Sequence, residues 1–281
     1  MLEELYQETK ERLREQYRGV FPPKHLEIHF ENYVLPEFSE RQFQDIQKTI
    51  PMAPGCKLLD LGCGFGSFVR ACRLADVEAV GVDICEEDLD FARKRHALEQ
   101  PDSQPQQIYL QGDAQATELP SDEYDFVTAW NLLEHVPSYR RVISEAYRVL
   151  RPGGVFMGIA PNYFTFRREA HYQVPWAPLF PRWLAAPYLR LCGRRPDFFL
   201  NDIYYITNWG ALRHLKKCGF QSIHPQLASL ENPDDIVSSR KRKIVQAVRR
   251  LKLTPLLKLA IIAGHWNPFR RAICFWVSKP A

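Results

Sequence analysis

No apolar run in this chain approaches the roughly 20 residues that a membrane-spanning helix needs. The opening MLEELYQETKERLREQY is a charged amphipathic helix pattern without the apolar core of a secretion signal. Cysteine is sparse: seven residues, an odd number, with no Cys-x-x-Cys pair. That spacing excludes a paired-thiolate zinc site and a disulfide framework, and it fits free thiols in a reducing compartment. A cytoplasmic protein is expected. No internal repeat or low-complexity linker divides the sequence. Charge is not extreme either; a formal net charge of +4 gives no argument for nucleic acid by itself. What is present is enough apolar material, 46% of 281 residues, for one sizeable core.

From Lys57 to about Ile159 short apolar runs alternate with helical patterns. KLLDLG, EAVGVDI, IYLQGDA, YDFVTAW and VFMGIAP have the pattern of strands. FGSFVRACRLA, EEDLDFARKRHALEQ and YRRVISEAYRVLRPGG have that of helices, the last closed by Pro-Gly-Gly. This alternation implies an α/β fold with a doubly wound parallel sheet. Residues 1–50 form a helical segment ahead of it. The pattern breaks over residues 162–205, a stretch rich in Pro, Trp, Tyr, Phe and Arg, which is expected to be a cap inserted after the fifth strand. The helix TNWGALRHLKKCGF, a strand near FQSIHPQL, a basic helical insertion over 235–265 and a last strand in FRRAICFWVSKP complete the 51–281 domain.

The segment KLLDLGCGFGSF carries the chemistry. Gly62, Gly64 and Gly66 stand where a parallel strand delivers its ligand-facing end, and glycine there lets the backbone turn tightly and approach a ligand. Ser67 occupies the position of the third glycine of a dinucleotide loop, and no Gly-Lys-Ser/Thr ending marks a phosphate loop. Asp60 immediately before the comb would repel a pyrophosphate and attract a cation.

These residues resemble the first motif of the class I S-adenosylmethionine-dependent methyltransferases, of the type 11/12 group. VGVDI, GDA, YDFVTAWNLLEHV and RVLRPGGVFMGIAPN resemble the later motifs in order and spacing. The resemblance implies a seven-stranded, mostly parallel sheet and S-adenosylmethionine as cofactor, leaving as S-adenosylhomocysteine. It implies that Gly62, Cys63, Gly64 and Gly66 pass under the methionine part, with Asp60 near the cationic end. Asp83 would take the ribose hydroxyls and Ile84 pack on the adenine. Asp113 and the Ala114 N–H would meet the adenine edge, and Asn131 and Leu132 would line the methionine side.

A hydroxyl acceptor benefits from a base. His135, in NLLEHVP, is one candidate, with Glu134 as the group expected to orient it; His171, in the cap, is the other. Arg167, Arg168 and Tyr172 form a polar cluster beside His171, and Tyr204 is a further substrate candidate. The fourth strand lacks the Asp/Asn-Pro-Pro-Tyr/Phe ending of amino-directed nucleic-acid methyltransferases, and the acid cluster of metal-dependent catechol enzymes is missing, so neither nucleic acid nor metal is expected. The cap weakly resembles bacterial polysaccharide-cluster methyltransferases. A small-molecule or lipid-linked glycan hydroxyl therefore stands ahead of a quinone, phenol or polyketide acceptor (O- or C-directed) and of a non-catalytic cofactor-binding module. From Ile236 to Ala281 there is no Asp or Glu. Two helices packed on the sheet with a solvated basic face is the favoured account of that tail; peripheral contact with an anionic membrane at its inner face is the other.

Overall fold

The computed structural model describes residues 1–101, 104–165, 167–225, 227, 230 and 239–281, the last stretch with side chains from Arg242 onward. Five parallel strands form the frame: β1 (Lys57–Leu61), β2 (Glu78–Asp83), β3 (Tyr109–Gln111), β4 (Tyr124–Trp130) and β5 (Leu150–Pro161). After the two-strand cap hairpin of β6 (Arg167–Arg168) and β7 (Pro175–Trp176) come β8 (Gln221–Ser222) and β9 (Ala272–Ser278). The main sheet has seven strands in the order β3-β2-β1-β4-β5-β9-β8, with β9 antiparallel to both its neighbours. The chain starts in the middle, at β1, winds outward through β2 and β3, then returns to β4. The β1/β4 boundary is thus the switch point beyond whose carboxyl ends a ligand crevice opens.

The central strands bury both faces, which is why they read as near-continuous apolar runs; in β1, Leu58, Leu59, Asp60 and Leu61 are all buried. Helix α4 (Ser67–Arg73) follows the glycine comb, and α5 (Glu86–Glu99) opens with Glu86, Glu87 and Asp88, acids that suit a helix N-terminus. Helix α6 (Tyr139–Val149) turns Val142, Ile143, Ala146 and Val149 into the core, the i, i+4, i+7 stripe of an amphipathic helix.

The N-terminal helices are part of the crevice. Helices α1 (Leu2–Gln16), α2 (Pro23–His29, continuing into a π-helical turn over Phe30–Val34) and α3 (Pro36–Gln47) precede the sheet. Arg95 of α5, fully buried, holds them there. Its guanidinium donates to the Val34 carbonyl (3.0 Å), the Phe65 carbonyl (2.8 Å) and Ser67 Oγ (3.0 Å), and Ser67 Oγ donates in turn to the Tyr33 carbonyl (2.9 Å). One planar cation thus ties the π-helical turn to the comb. Arg95→Met keeps the bulk but strands the Phe65 carbonyl and removes the donors to Val34 and Ser67, leaving Val34 the Ser67 hydroxyl. It should lower stability by about 3 kcal/mol, and thermal denaturation with and without S-adenosylmethionine checks this; an unchanged midpoint would mean that the N-terminal helices are fastened elsewhere.

The cap over 162–205 contains the hairpin, α7 (Arg182–Leu191) and α8 (Asp197–Asp202), and α9 (Asn208–Lys217) follows. The basic stretch expected over 235–265 resolves into two helices, α10 (Ser239–Arg250) and α11 (Thr254–His265); its residues 235–238 lie outside the described residues. The outward face of α11 is apolar, where a solvated basic face was expected. Leu256, Leu259 and Ile262 of α11 point outward, and His265 is its buried residue. No helix among the described residues is long and apolar enough to cross a membrane.

A cofactor cradle beside a half-buried histidine cluster

The comb glycines all have positive φ: +70° at Gly62, +49° at Gly64 and +67° at Gly66. Two of them also have no room for a side chain. A Cβ on Gly62 would lie 2.6 Å from Leu132 Cδ1, and one on Gly66 would lie 2.4 Å from Tyr109 Cε1. The cradle is closed from behind by the fourth-strand edge and the third strand. Cys63 turns its thiol onto Gly81, so it can offer a ligand its backbone alone.

Asp60, 2% exposed, accepts a hydrogen bond from Thr128 Oγ1 at 2.6 Å through Oδ1. Burial, with Asp83 adding a smaller repulsion, pushes its carboxyl up to about 7. No cation among the described residues is paired with it. A buried carboxyl with one neutral partner is a site that a positive ligand would complete. Asp83, at the end of β2, accepts from the Gly64 N–H (2.7 Å) through one oxygen and from the Cys85 N–H (2.9 Å) through the other. Each oxygen keeps a further lone pair, so the carboxylate can still meet two neighbouring hydroxyls. Ile84 is 73% exposed, a large apolar side chain presented to the crevice rim with nothing over it. Asp113 is exposed on the adjacent edge, fixed by the Gln115 N–H at 2.8 Å, with Ala114 buried beside it and Gly112 bonded to the Asp83 carbonyl. Asn131 takes a left-handed turn (φ +52°) and donates through Nδ2 to Tyr33 Oη at 2.9 Å, so the fourth-strand edge is linked to the N-terminal helices. Glycine space, a buried acid, a two-oxygen acceptor and an exposed apolar plate together fit S-adenosylmethionine.

Beside this cradle four histidines gather from three parts of the chain. His135 and His171 meet edge to face with ring centroids 5.0 Å apart. His29 stands 4.7 Å from the Tyr33 ring, and His25 bonds the Ala170 backbone. Phe21 and Phe198 pack among them. Burial, reinforced by the neighbouring histidines, pushes His29 and His135 down to about 3, so both rings stay neutral; the same causes lower His25. His171 is different, because it has a carboxylate. Its Nδ1 lies 3.1 Å from Oε1 of Glu169, a wholly buried acid. Glu169 also accepts from Tyr163 Oη (2.8 Å) and from the His171 and Tyr172 N–H groups (2.7 and 2.8 Å). Burial alone would raise the Glu169 carboxyl; the His171 ring and these donors outweigh it and hold it down, to about 2.

The arrangement corrects several expectations. Glu134 does not orient His135: its Oε1 is 4.0 Å from Nε2, and the ring is fixed instead by Nδ1 donating to the Asp202 carbonyl at 2.9 Å. Burial pushes the Glu134 carboxyl up to about 7, and its Oε2 has no hydrogen-bond partner among the described residues. Tyr172 is a wholly buried core residue whose hydroxyl accepts from the Phe199 N–H. Arg168 donates to the Gln173 carbonyl and Arg167 to the Arg168 carbonyl, so both brace the hairpin, although Arg167 also lies over the Tyr163 ring and near Glu134. Tyr204 donates to the Asn201 carbonyl. Missed from sequence were His25, His29 and Glu169. The spacing HLEIH, two histidines four apart in a helix pattern, was the available signal.

A family model described as a methyltransferase domain matches residues 59–158. A malonyl-[acyl-carrier protein] O-methyltransferase from Enterobacter lignolyticus is 28% identical over 199 residues, covering 69% of this chain and 76% of that protein. Residues 59–158 thus carry a methyltransferase domain, and these likenesses support a class I S-adenosylmethionine-dependent methyltransferase. A ubiquinone biosynthesis O-methyltransferase from Pseudomonas putida is 36% identical over 122 residues, 43% of the methyltransferase described here and half of its relative. Among solved structures, phosphoethanolamine N-methyltransferase 2 of Haemonchus contortus, in complex with S-adenosylmethionine, superposes with a TM-score of 0.54 at 18% identity, over 89% of this chain and 54% of that one; this likeness concerns the fold. Among the described residues no group of three or more His, Cys, Asp or Glu is arranged to hold a metal ion.

The methyltransferase would hold its cofactor through Asp60, Asp83, the comb backbone, Ile84 and the Asp113–Ala114 turn. Asp83→Ala removes the two free acceptor positions. Affinity for S-adenosylmethionine should fall roughly tenfold to a hundredfold. Isothermal calorimetry measures it, and an unchanged Kd would place the ribose elsewhere.

Proposed function

We propose that this methyltransferase transfers a methyl group to a hydroxyl of a small-molecule or lipid-linked acceptor, with His171 as the base. The observation that carries the proposal is the His171–Glu169 pair, a half-buried imidazole on a wholly buried carboxylate, inside the histidine cluster. With Glu169 ionised, the proton of His171 resides on Nδ1 and the Nε2 lone pair is free. A proton arriving at Nε2 makes an imidazolium that Glu169 stabilises, the logic by which a carboxylate supports a histidine base. His135, its Nδ1–H committed to Asp202 and its ring held neutral, orients rather than accepts.

The bound cofactor supplies an electrophilic methyl group on a sulfonium. The chain supplies alignment and dryness: residues 1–50 form one wall of the acceptor chamber and the cap over 162–205 the other. The names of the O-methyltransferase relatives support the oxygen direction. A glycan acceptor rests on the sequence of the cap, and a quinone or phenol is the alternative that the aromatic wall of Phe21 and Phe198 accommodates. Incubation with labelled S-adenosylmethionine and separate fractions of polar lipid, glycan and phenolic metabolites tests the acceptor class. Label confined to one hydroxyl-bearing fraction supports the proposal, and label confined to amines would overturn it.

A further inference from the structure

The apolar face of α11 has no partner within the described fold. Leu256 is 64% exposed and Leu259 63%, with Ile262 on the same side of the helix at the same spacing of three. The loop before α11 adds exposed Leu251 and Leu253, and the turn after it adds Phe269. An apolar stripe of this size costs free energy in water unless something covers it. The charge around it says what can. Between Ile236 and Ala281 there is no Asp or Glu, while Arg250 and Lys252 precede the helix and Arg270 and Arg271 follow it. A second copy would bring like charge to like charge, and a nucleic acid offers nothing for exposed leucines. Lipid with anionic headgroups satisfies both features at once, apolar chain for the leucines and phosphate for the cations.

We infer that α11 and its flanking turns are a docking surface for an anionic lipid bilayer, with the helix lying in the plane of the membrane. At 1.5 Å per residue, the twelve-residue helix is roughly 18 Å long, too short for the roughly 30 Å hydrocarbon core and suited to lying along it. The surface is tied to the catalytic edge of the sheet. Asn162, buried directly after β5, donates through Nδ2 to the Pro268 (2.7 Å) and Arg270 (2.6 Å) carbonyls. Asn208, also buried, donates to the His265 (3.1 Å) and Asn267 (2.9 Å) carbonyls. The residues that end the docked helix are therefore held by the residues that begin the cap and α9. Docking would set the acceptor chamber beside the headgroups, where a lipid-borne hydroxyl arrives; that last step rests on the acceptor proposed above, whereas docking itself does not.

Vesicle flotation tests the surface. The full chain is mixed with vesicles of phosphatidylcholine alone or of phosphatidylcholine with phosphatidylglycerol. Binding is expected with the anionic vesicles only, weakening as salt rises. Leu256→Ser, Leu259→Ser and Ile262→Ser together should lower the vesicle partition coefficient by about tenfold or more. Arg250→Gln with Arg271→Gln should lower it by roughly fivefold per charge. Both variants alter outward-facing positions, and retained S-adenosylmethionine binding shows that they fold. Absence of flotation by the parent, or undiminished flotation by the triple serine variant, overturns the inference. So does a parent dimer that the triple variant dissolves without any vesicle binding, because the stripe would then be covered by a second copy. Methyl transfer to a water-soluble acceptor alone would remove the lipid-borne acceptor and leave the flotation result untouched.

Discussion

Replacing His171 by alanine is expected to lower turnover by about a hundredfold or more, with the affinity for S-adenosylmethionine within about twofold of the parent. The argument is one of partners. The candidate cofactor cradle is built from β1, β2, β3 and the end of β4; His171 belongs to the cap, and among the described residues its ring bonds Glu169. Its loss therefore removes a proton acceptor and spares the cradle. Glu169→Gln supplies the control, because the amide cannot support an imidazolium although it keeps the size of the side chain. It should show much of the same loss in kcat with little change in KM. His135→Ala should cost less, since that ring is locked to Asp202 and held neutral by burial. Turnover near the parent level in both His171→Ala and Glu169→Gln would reject histidine base catalysis and leave alignment as the source of rate.

The second large effect is a proton released when the cofactor binds. Asp60 carries a carboxyl that burial pushes up to about 7. In the folded, ligand-free protein it is therefore protonated over much of the range below neutrality, where an unfolded carboxyl would be ionised. A cofactor cation placed beside Asp60 would favour the ionised form and lower this value, so binding below pH 7 would displace the proton. Affinity should then fall by roughly tenfold for each pH unit below about 7. Calorimetry in buffers of different ionisation enthalpy should record release of up to one proton. The cofactor's own amino group titrates in the neutral range as well, so the comparison that matters is Asp60→Asn, which should bind more weakly and lose the additional pH dependence. A parent whose pH dependence is unchanged by Asp60→Asn would put the cation elsewhere.

The candidate cofactor edge could be assembled from the sequence because its determinants are local. A strand, an acid and glycines at alternate positions are consecutive residues, and their conformation follows from short-range sterics. The same holds for Asp83 and Asp113, each at the end of an apolar run. The histidine cluster proposed as the acceptor side was not legible, because nothing local joins its parts. His25 and His29 come from a helix before the sheet, His135 from the fourth-strand edge, and His171 with Glu169 from the cap. Arg95 was equally hidden: in sequence it is one more cation in a charged helix, and only packing makes it the clasp between the comb and the N-terminal turn. The tail was only partly legible for a related reason. Its basic and apolar pattern describes a packed helix pair as well as a docking one, and the outward face of α11 is a property of the assembled fold.

The central claim is methyl transfer to a hydroxyl, and the bond formed is its most direct record. The enzyme is supplied with S-adenosylmethionine carrying a carbon-13 methyl group and with the acceptor fraction that takes up label, and the product is read by nuclear magnetic resonance. The account predicts a methyl resonance of an ether, stable to alkali, whose formation is lost with His171→Ala. A methyl on nitrogen or carbon, an alkali-labile methyl ester, or cofactor that binds without any labelled product would contradict it.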